Sequence, residues 1–150
     1  MIALLSIKPE FVAQIFAGTK RYEFRRVVFK QPVKKVVVYS SAPEQMIVGE
    51  FDVEGVIHNS LDDLWRDTEH ASGISASVFY SYFCDKDSGY AIKIGNVLRY
   101  QEPTPLNKIY PSPPPQSFAY LSPDLLDALI QPDGTARRSD QACPVPDCVG

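Results

Sequence analysis

The sequence predicts an α+β fold, a small β-barrel with flanking helices. The chain has 150 residues, of which 45% are hydrophobic and 22% charged, close to the average for globular domains and enough for one core. Strand and helix patterns follow the order β-α-β-β-β-α-α-β-β, which lacks the regular alternation of a parallel α/β sheet. Gly49 and Gly55 lie inside one long strand pattern, as where a barrel strand turns a corner.

The first quarter of the chain predicts a strand, a helix and a second short strand. Residues 2–7 are mostly apolar and predict a buried strand. Pro9 is placed to open a helix and Gly18 to end it. Residues 22–26 alternate, so Tyr22, Phe24 and Arg26 share one face and Glu23 and Arg25 the other. We expect the aromatic face to pack on the core.

The middle of the chain predicts two strands and two helices. Residues 33–39 are β-branched, and residues 47–57 give the long strand that contains the two glycines. Residues 61–66 form a short helical pattern that includes Trp65, the only tryptophan, which we expect in the core. Ser75 is a candidate N-cap for a second helix that ends at Phe83. Its apolar stripe is made of Val78, Phe79, Tyr82 and Phe83.

The last third predicts strands and then a polar tail. Residues 90–94 and 97–101 read as strand, prolines interrupt residues 103–115, and residues 116–121 are a last extended segment. Residues 125–130 form a short helical pattern, and proline, glycine and polar residues dominate from Gln131 onward. We therefore expect a domain over residues 1–121, followed over residues 122–150 by a short helix and a disordered tail.

Cysteine usage and hydropathy predict a cytoplasmic protein. Three cysteines, Cys84, Cys143 and Cys148, are a sparse and odd number, which favours a reducing compartment. They do not form a zinc pattern, so neither a metal nor another cofactor is expected. No apolar run approaches the ~20 residues that a membrane helix needs, and the N-terminus lacks the pattern of a signal peptide.

Charge is uneven along the chain. The formal net charge is −3, yet residues 20–35 contain seven Lys and Arg against one acidic residue, Glu23. A local excess of this size is a candidate patch for a phosphate-bearing partner. The alternative is a solvated sheet edge whose lysines and arginines discourage aggregation. Charge alone does not separate the two.

The most informative segment is Gly18-Thr19-Lys20-Arg21-Tyr22-Glu23-Phe24-Arg25. A lysine follows the end of a helix, and an acid and a base then share one face of a short strand. Arginine offers a planar fork for an oxyanion and lysine a point charge. Glutamate accepts from an amine or acts as a base. Such a trio could hold a phosphate, a base edge or a polarised carbonyl, or form a structural ion-pair cluster.

This segment resembles the signature G-x-K-x-x-E-x-R of the ASCH domain, a member of the PUA-like superfamily. The four fixed positions fall on Gly18, Lys20, Glu23 and Arg25. The surrounding segments Leu-Ser-Ile-Lys-Pro, Val-Val-Val-Tyr-Ser and Val-Gly-Glu-Phe are also similar to the family. The resemblance covers residues 2–121, and it implies a β-barrel with a cleft beside the first helix and a role in RNA binding.

Some members of the family are enzymes, which leaves catalysis open. One group resembles amidohydrolases of N4-acetylated cytidine that use a lysine, a threonine and a glutamate, and another has ribonuclease activity. The lysine corresponds to Lys20, but Glu23 stands at the position of the threonine. No equivalent of the amidohydrolase glutamate can be assigned, because Glu50 and Glu54 belong to a strand that could be structural.

The leading hypothesis is a module that binds RNA, an unpaired or modified nucleotide, or modified single-stranded DNA. Its expected site comprises Lys8, Gly18, Lys20, Glu23, Arg25, Arg26, Tyr39, Ser40 and Ser117. The alternative is a metal-independent hydrolase of the same cleft, an N4-acetylcytidine amidohydrolase or a ribonuclease, with Lys20 and Glu23 as catalytic residues. A third hypothesis is a ligand-responsive transcriptional or translational regulator with a protein partner. No membrane partner is expected.

Overall fold

A six-stranded mixed sheet forms the centre of the molecule. The computed structural model of the chain describes residues 1–111 and 113–127. The strand order is β2-β5-β4-β3-β1-β6. The strands are β1 (Ile2–Ile7), β2 (Tyr22–Arg25), β3 (Lys35–Ser40), β4 (Met46–Ser60), β5 (Ser88–Thr104) and β6 (Ala119–Leu121). β1 pairs in parallel with β3, and the other neighbouring strands are antiparallel.

Four helices flank this sheet. They are α1 (Pro9–Ala17), α2 (Leu61–Thr68), α3 (Ala76–Tyr82) and α4 (Pro123–Asp127). The residues predicted to begin and end helices lie at the observed helix ends. Pro9 stands in the first turn of α1, Gly18 ends it with φ +86°, and the Ser75 hydroxyl accepts a hydrogen bond from the Val78 amide at the start of α3. In the described part of the chain, no helix is long and apolar enough to cross a bilayer.

The long strand β4 bends at its glycines. Its register against β5 shifts between Ile47 and Gly49 and again between Val53 and Gly55. The predicted irregularities are therefore confirmed. A bulge increases the local twist of a strand, so these shifts favour a curved sheet. Residues of α1 pack on one face of the sheet in a shared apolar cluster. The partner strand β5 runs without interruption through both predicted segments, residues 90–94 and 97–101, since Gly95 and Asn96 remain within the strand.

Three apolar clusters hold the layers together. The first lies between the curled sheet and α1 and includes Leu5, Ile15 and Phe51. The second covers the opposite face of β1, β3 and β4, where Leu4, Val37 and Ile47 are fully buried. The third packs β2 and β5 against α2 and α3. Tyr22, Phe24, Leu64, Phe79, Phe83 and Ala91 are its buried members, with Trp65 packed against them. The aromatic face of β2 thus packs in the core as predicted.

The predicted barrel is not closed. Strands β2 and β6 lie at the two ends of the hydrogen-bonded order, and no backbone ladder joins them within the described residues. β2 has four residues and β6 three, so both edges of the sheet are short. The domain is therefore a curled open sheet. The predicted last helix begins at Pro123, and residues 128–150, where a disordered tail was predicted, lie outside the described residues.

We expect Gly49→Ala to lower the free energy of unfolding by about 2 kcal/mol, as overpacking of a filled core does. A Cβ at this position would press on the Phe16 ring and lie 2.5 Å from the Leu98 carbonyl oxygen. Gly55→Ala, in the same strand, is the matched control because nothing lies within 4 Å of its Cβ. Urea denaturation measures both variants. Equal free energies of unfolding of the two variants would contradict this account of the close packing at Gly49.

Candidate functional site

A cleft of about 550 Å³ opens where β1 meets α1, beside β2 and α3. Its polar end is formed by Ser6, Lys8, Glu23, Arg25 and Gln116. Its apolar wall is formed by Ile7, Phe11, Phe24, Ile74, Val78 and Tyr82, and Lys20, Ser77 and Ser81 complete the lining. A concave, mainly apolar site with a few convergent polar groups is typical of small-molecule and nucleotide binding.

Lys20 is the central cation of the cleft and only 2% exposed. The left-handed turn at Gly18 directs the chain back from α1 into β2, which places Lys20 between the rings of Phe11 and Phe24. Its ammonium lies 5.0 Å from each ring centroid and donates a hydrogen bond of 2.8 Å to the Ser72 carbonyl. Burial lowers the pKa of Lys20, and the nearby Glu23 carboxylate partly offsets this by favouring the charged form.

Glu23 and Arg25 form the second charged element on the same strand. Glu23 is 5% exposed, and its Oε2 lies 3.2 Å from Arg25 Nη1. Arg25 also donates to the carbonyl of Ser6 at 3.4 Å and to the carbonyl of Ser117 at 2.6 Å. The guanidinium therefore connects strand β2 to β1 and to the segment before β6. One side chain spans the gap that the backbone leaves between the two sheet edges.

Helix α3 supplies the wall that sequence reasoning missed. Val78 and Tyr82 belong to the predicted apolar stripe, but they are 46% and 38% exposed and line the cleft instead of the core. The stripe is wider than the part of the helix that packs, so Phe79 and Phe83 fill the core and the other two remain outside. An apolar stripe wider than a short helix can bury was the sequence feature that could have indicated this wall. Desolvation raises the pKa of the Tyr82 phenol, which stays protonated at neutral pH.

The segment before α3 is attached to the signature lysine. Ala71 accepts a backbone hydrogen bond of 2.8 Å from Arg21, and Ser72 accepts the one from Lys20. Gly73 has φ +74°, and a Cβ there would press on the Lys20 side chain and the Gln14 amide oxygen. The position of the α3 wall thus depends on Lys20.

The structure brings together four of the nine predicted site residues as lining, namely Lys8, Lys20, Glu23 and Arg25. Gly18 shapes the site through its turn and does not line it. Arg26 is exposed outside the cleft. Ser117 takes part through its backbone carbonyl, whereas its neighbour Gln116 lines the cleft.

Tyr39 and Ser40 do not line the cleft, contrary to the prediction. Tyr39 projects from the other sheet face into the second apolar cluster, together with Val37 two residues earlier. Ser40 is completely buried, and its hydroxyl has no hydrogen-bond partner among the residues that the structure describes. Strand ends often carry site residues, but here the parity of the strand and complete burial keep both side chains away from the cleft.

The two glutamates of β4 also lie elsewhere. Glu50 is buried in an ion pair of 2.8 Å with Lys35 and accepts a hydrogen bond of 2.7 Å from the Tyr100 hydroxyl. Glu54 is half-exposed near Lys93. Neither lines the cleft. Within residues 1–111 and 113–127, no group of three or more His, Cys, Asp and Glu side chains could hold a metal.

Comparison with known proteins gives one family. A family model of the ASCH domain matches residues 5–105. The ATP synthase subunit alpha and the large ribosomal subunit protein uL22 of Ureaplasma parvum are 33% and 32% identical over 119 residues, 79% of this chain. The chain spans only 15% and 38% of their lengths. An ASCH domain-containing ribonuclease of Zymomonas mobilis is 24% identical over 132 residues, covering 85% of this chain and 89% of that protein.

Solved structures share the fold. The crystal structure of ASCH from Zymomonas mobilis has a TM-score of 0.77 at 23% identity, covering 86% of this chain and 93% of that chain. A mutant of that protein gives 0.78 at 22% identity, covering 86% and 96%. At this identity the likeness concerns the fold alone.

We expect the Lys20 ammonium to lose its proton at a lower pH than an ordinary lysine, because burial disfavours the charged form. Glu23→Gln should lower this pKa further, since it removes the charge that favours the ammonium. The side-chain Cε shift of Lys20, followed by NMR over pH, measures both values. An unchanged or raised pKa in Glu23→Gln would contradict the assigned electrostatics.

The same titration sets the pH dependence of stability. A lysine whose pKa is lower in the folded state makes the unfolded chain bind more protons between the folded and unfolded pKa values. The free energy of unfolding of the wild type, relative to Lys20→Met, should therefore rise with pH across that window. Urea denaturation at several pH values checks this sign.

Proposed function

The chain belongs to the ASCH domain family, and from this membership we propose that it binds single-stranded RNA, with an unpaired base or nucleotide held in the cleft. The observation that carries the proposal is the buried Lys20 ammonium, which faces a cavity large enough for a nucleotide between apolar walls. Burying a cation costs free energy unless it is well compensated. A structural role alone gives little reason to keep it beside an open cleft.

The apolar wall suits a nucleobase. Phe11, Phe24 and Tyr82 present aromatic surface to the cleft, and bases stack on such rings with little dependence on sequence. RNA-binding modules commonly capture unpaired bases in this way and read their edges with polar groups. The proposed pose therefore places a planar ring against this wall, with its polar edge toward Lys20, Glu23 and Arg25.

An exposed basic segment adjoins the site. Three of the seven basic residues in 20–35, namely Lys20, Arg25 and Lys35, are engaged inside the fold. Arg26, Lys30 and Lys34 are exposed in the segment between β2 and β3. They lie in a loop and do not run along an edge strand, which favours a phosphate track over edge protection. An RNA backbone that leaves the cleft along this track would bind in a salt-dependent way.

A second candidate function is a ribonuclease, favoured by the ribonuclease relative that aligns over 89% of its length. In such a reaction the 2′-oxygen would attack phosphorus and give its proton to a base, the bond from phosphorus to the 5′-oxygen would break, and the 5′-oxygen would take a proton from water. Glu23 is the candidate base, and Lys20 is the candidate cation for the charge that develops on phosphate. Ser117, a member of the expected site, contacts Arg25 through its backbone carbonyl. The amidohydrolase alternative would use the same two side chains on N4-acetylcytidine.

We expect Lys20→Met to weaken the binding of single-stranded RNA by about tenfold or more, the scale of one lost charge-assisted hydrogen bond. Methionine keeps the length and apolar packing of the buried stem. Lys108→Met is the matched control, because it removes one charge from an exposed residue outside the cleft. Fluorescence anisotropy at several salt concentrations measures both variants, and wild-type affinity should fall as salt rises.

The same samples, incubated without added metal on RNA and on N4-acetylcytidine, separate the functions. Retention without product supports a binding module. Product that disappears in Lys20→Met supports the hydrolase. If the protein neither retains RNA nor forms product, both functions are contradicted and the ligand-responsive regulator is favoured.

Tyr82→Leu should weaken RNA binding by about fivefold or more, since an aromatic stacking surface is lost. Tyr80→Leu is a close control, because Tyr80 lies on the same helix, is 39% exposed against 38% for Tyr82, and does not line the cleft. Anisotropy on the same RNA compares the two variants. Equal losses would argue against base stacking at this wall.

A further inference from the structure

We propose that the cleft reads the imide edge of a uracil-type base, a carbonyl, an N–H and a second carbonyl in a row. This inference rests on the proposed function, that an unpaired base occupies the cleft. It concerns which base the site prefers, a property that can fail while RNA binding stands. It is carried by the hydrogen-bonding groups that the three signature side chains leave unused.

The first step is the count of unused groups. Of the three Lys20 ammonium protons, one serves the Ser72 carbonyl. Of the five Arg25 donors, three serve Glu23, Ser6 and Ser117. Glu23 Oε2 faces Arg25, while Oε1 takes no hydrogen bond from the described residues and is not sealed from solvent. Two lysine donors, one carboxylate oxygen and two arginine donors thus have no hydrogen-bond partner among the described residues. Because all three side chains line the cleft, the proposed pose assigns these groups to the ligand.

The second step is their arrangement. Glu23 stands between Lys20 and Arg25 along the chain as it enters and follows β2, and all three side chains line the same cleft. Glu23 forms a direct ion pair with Arg25, and its charge also favours the Lys20 ammonium. The carboxylate is therefore the middle group of the three. From one cation to the other, the site offers a donor, an acceptor and a donor.

The third step compares this pattern with the four bases. Uracil presents O4, N3–H and O2, which are an acceptor, a donor and an acceptor and match the site at all three positions. Guanine matches at O6 and N1–H but brings its N2 amine against a cation. Cytosine and adenine begin with an amine, so they match only when shifted, which leaves one cation without a partner. The site thus distinguishes the imide by a complete set of contacts.

The test uses nucleoside 5′-monophosphates, which carry equal charge and contain no phosphodiester that the protein could cleave. NMR titration of the full chain with UMP, CMP, AMP and GMP measures the four dissociation constants. We expect UMP to bind about tenfold more tightly than the other three, the scale of one good base-edge pair. N3-methyl-UMP, which keeps the ring and the phosphate but lacks the central N–H, should lose this advantage.

A variant pair assigns the preference to the carboxylate. Glu23→Gln should reduce the preference for UMP to less than about threefold, because the amide is a weaker acceptor and adds a donor to the edge. Glu54→Gln removes an equivalent charge from a half-exposed residue outside the cleft and should leave the preference intact. The N3-methyl comparison uses the wild-type chain and so does not depend on how either variant folds.

Each outcome of these titrations either supports or overturns the inference. Tighter UMP binding that is lost on N3-methylation supports the inference. Equal binding of the four nucleotides, a preference for another base, or undiminished binding of N3-methyl-UMP overturns it and leaves the proposed RNA binding in place. No nucleotide binding while RNA is still retained also overturns it, since the cleft then does not read a base. Loss of RNA retention as well removes the proposed function itself.

Discussion

The buried ammonium of Lys20 is the constraint on which the site depends. A cation removed from water must find compensation nearby, and here it finds the Ser72 carbonyl, two aromatic faces and the carboxylate of Glu23. These partners belong to three parts of the chain: the segment before α3, helix α1 and strand β2. Satisfying one charge thus fixes three elements around one cavity. Lys20 donates one hydrogen bond within the described residues and also lines the cavity, so the residue that orders the cleft is the one that the proposal assigns to the ligand.

Arg25 performs the corresponding task for the sheet. The register shifts of β4 favour a curved sheet, but no backbone ladder joins β2 to β6 within the described residues. The guanidinium reaches across by donating to carbonyls of Ser6 and Ser117, and its fork geometry allows this while it still pairs with Glu23. A lysine could not make these contacts together. The arginine of the signature is therefore both part of the cleft and the side chain that joins the two edges of an open sheet.

Much of the fold follows from local signals, and the site follows only in part. Prolines, glycines and the Ser75 cap locate the helices, and two-residue alternation places Tyr22 and Phe24 in the core. The cleft residues Lys20, Glu23 and Arg25 were predicted because they stand at the spacing of a family signature in one short segment. The α3 wall was missed because its distance from β2 is set by Lys20 and Ser72, a contact between residues 52 positions apart that no local pattern encodes. The prediction that Tyr39 lines the cleft was wrong for a related reason. The position of a residue at the end of a strand does not show which face of the sheet its side chain occupies.

The basic residues in 20–35 have different roles in the folded protein. Seven cations suggest a strong surface field, yet Lys20, Arg25 and Lys35 are committed to internal partners. The carboxylates of Asp52 and Glu50 outweigh the burial of Lys35 and raise its pKa, so that residue is held as a structural ion pair. The loop cations Arg26, Lys30 and Lys34 are exposed and can attract a phosphate backbone, and Arg21 is exposed as well while it donates to the Ile94 carbonyl. In the proposed complex, the loop would therefore supply the salt-dependent affinity and the cleft the base selectivity. Since screening weakens exposed charges far more than buried ones, raising the salt concentration should reduce overall binding while leaving the choice of base largely unchanged.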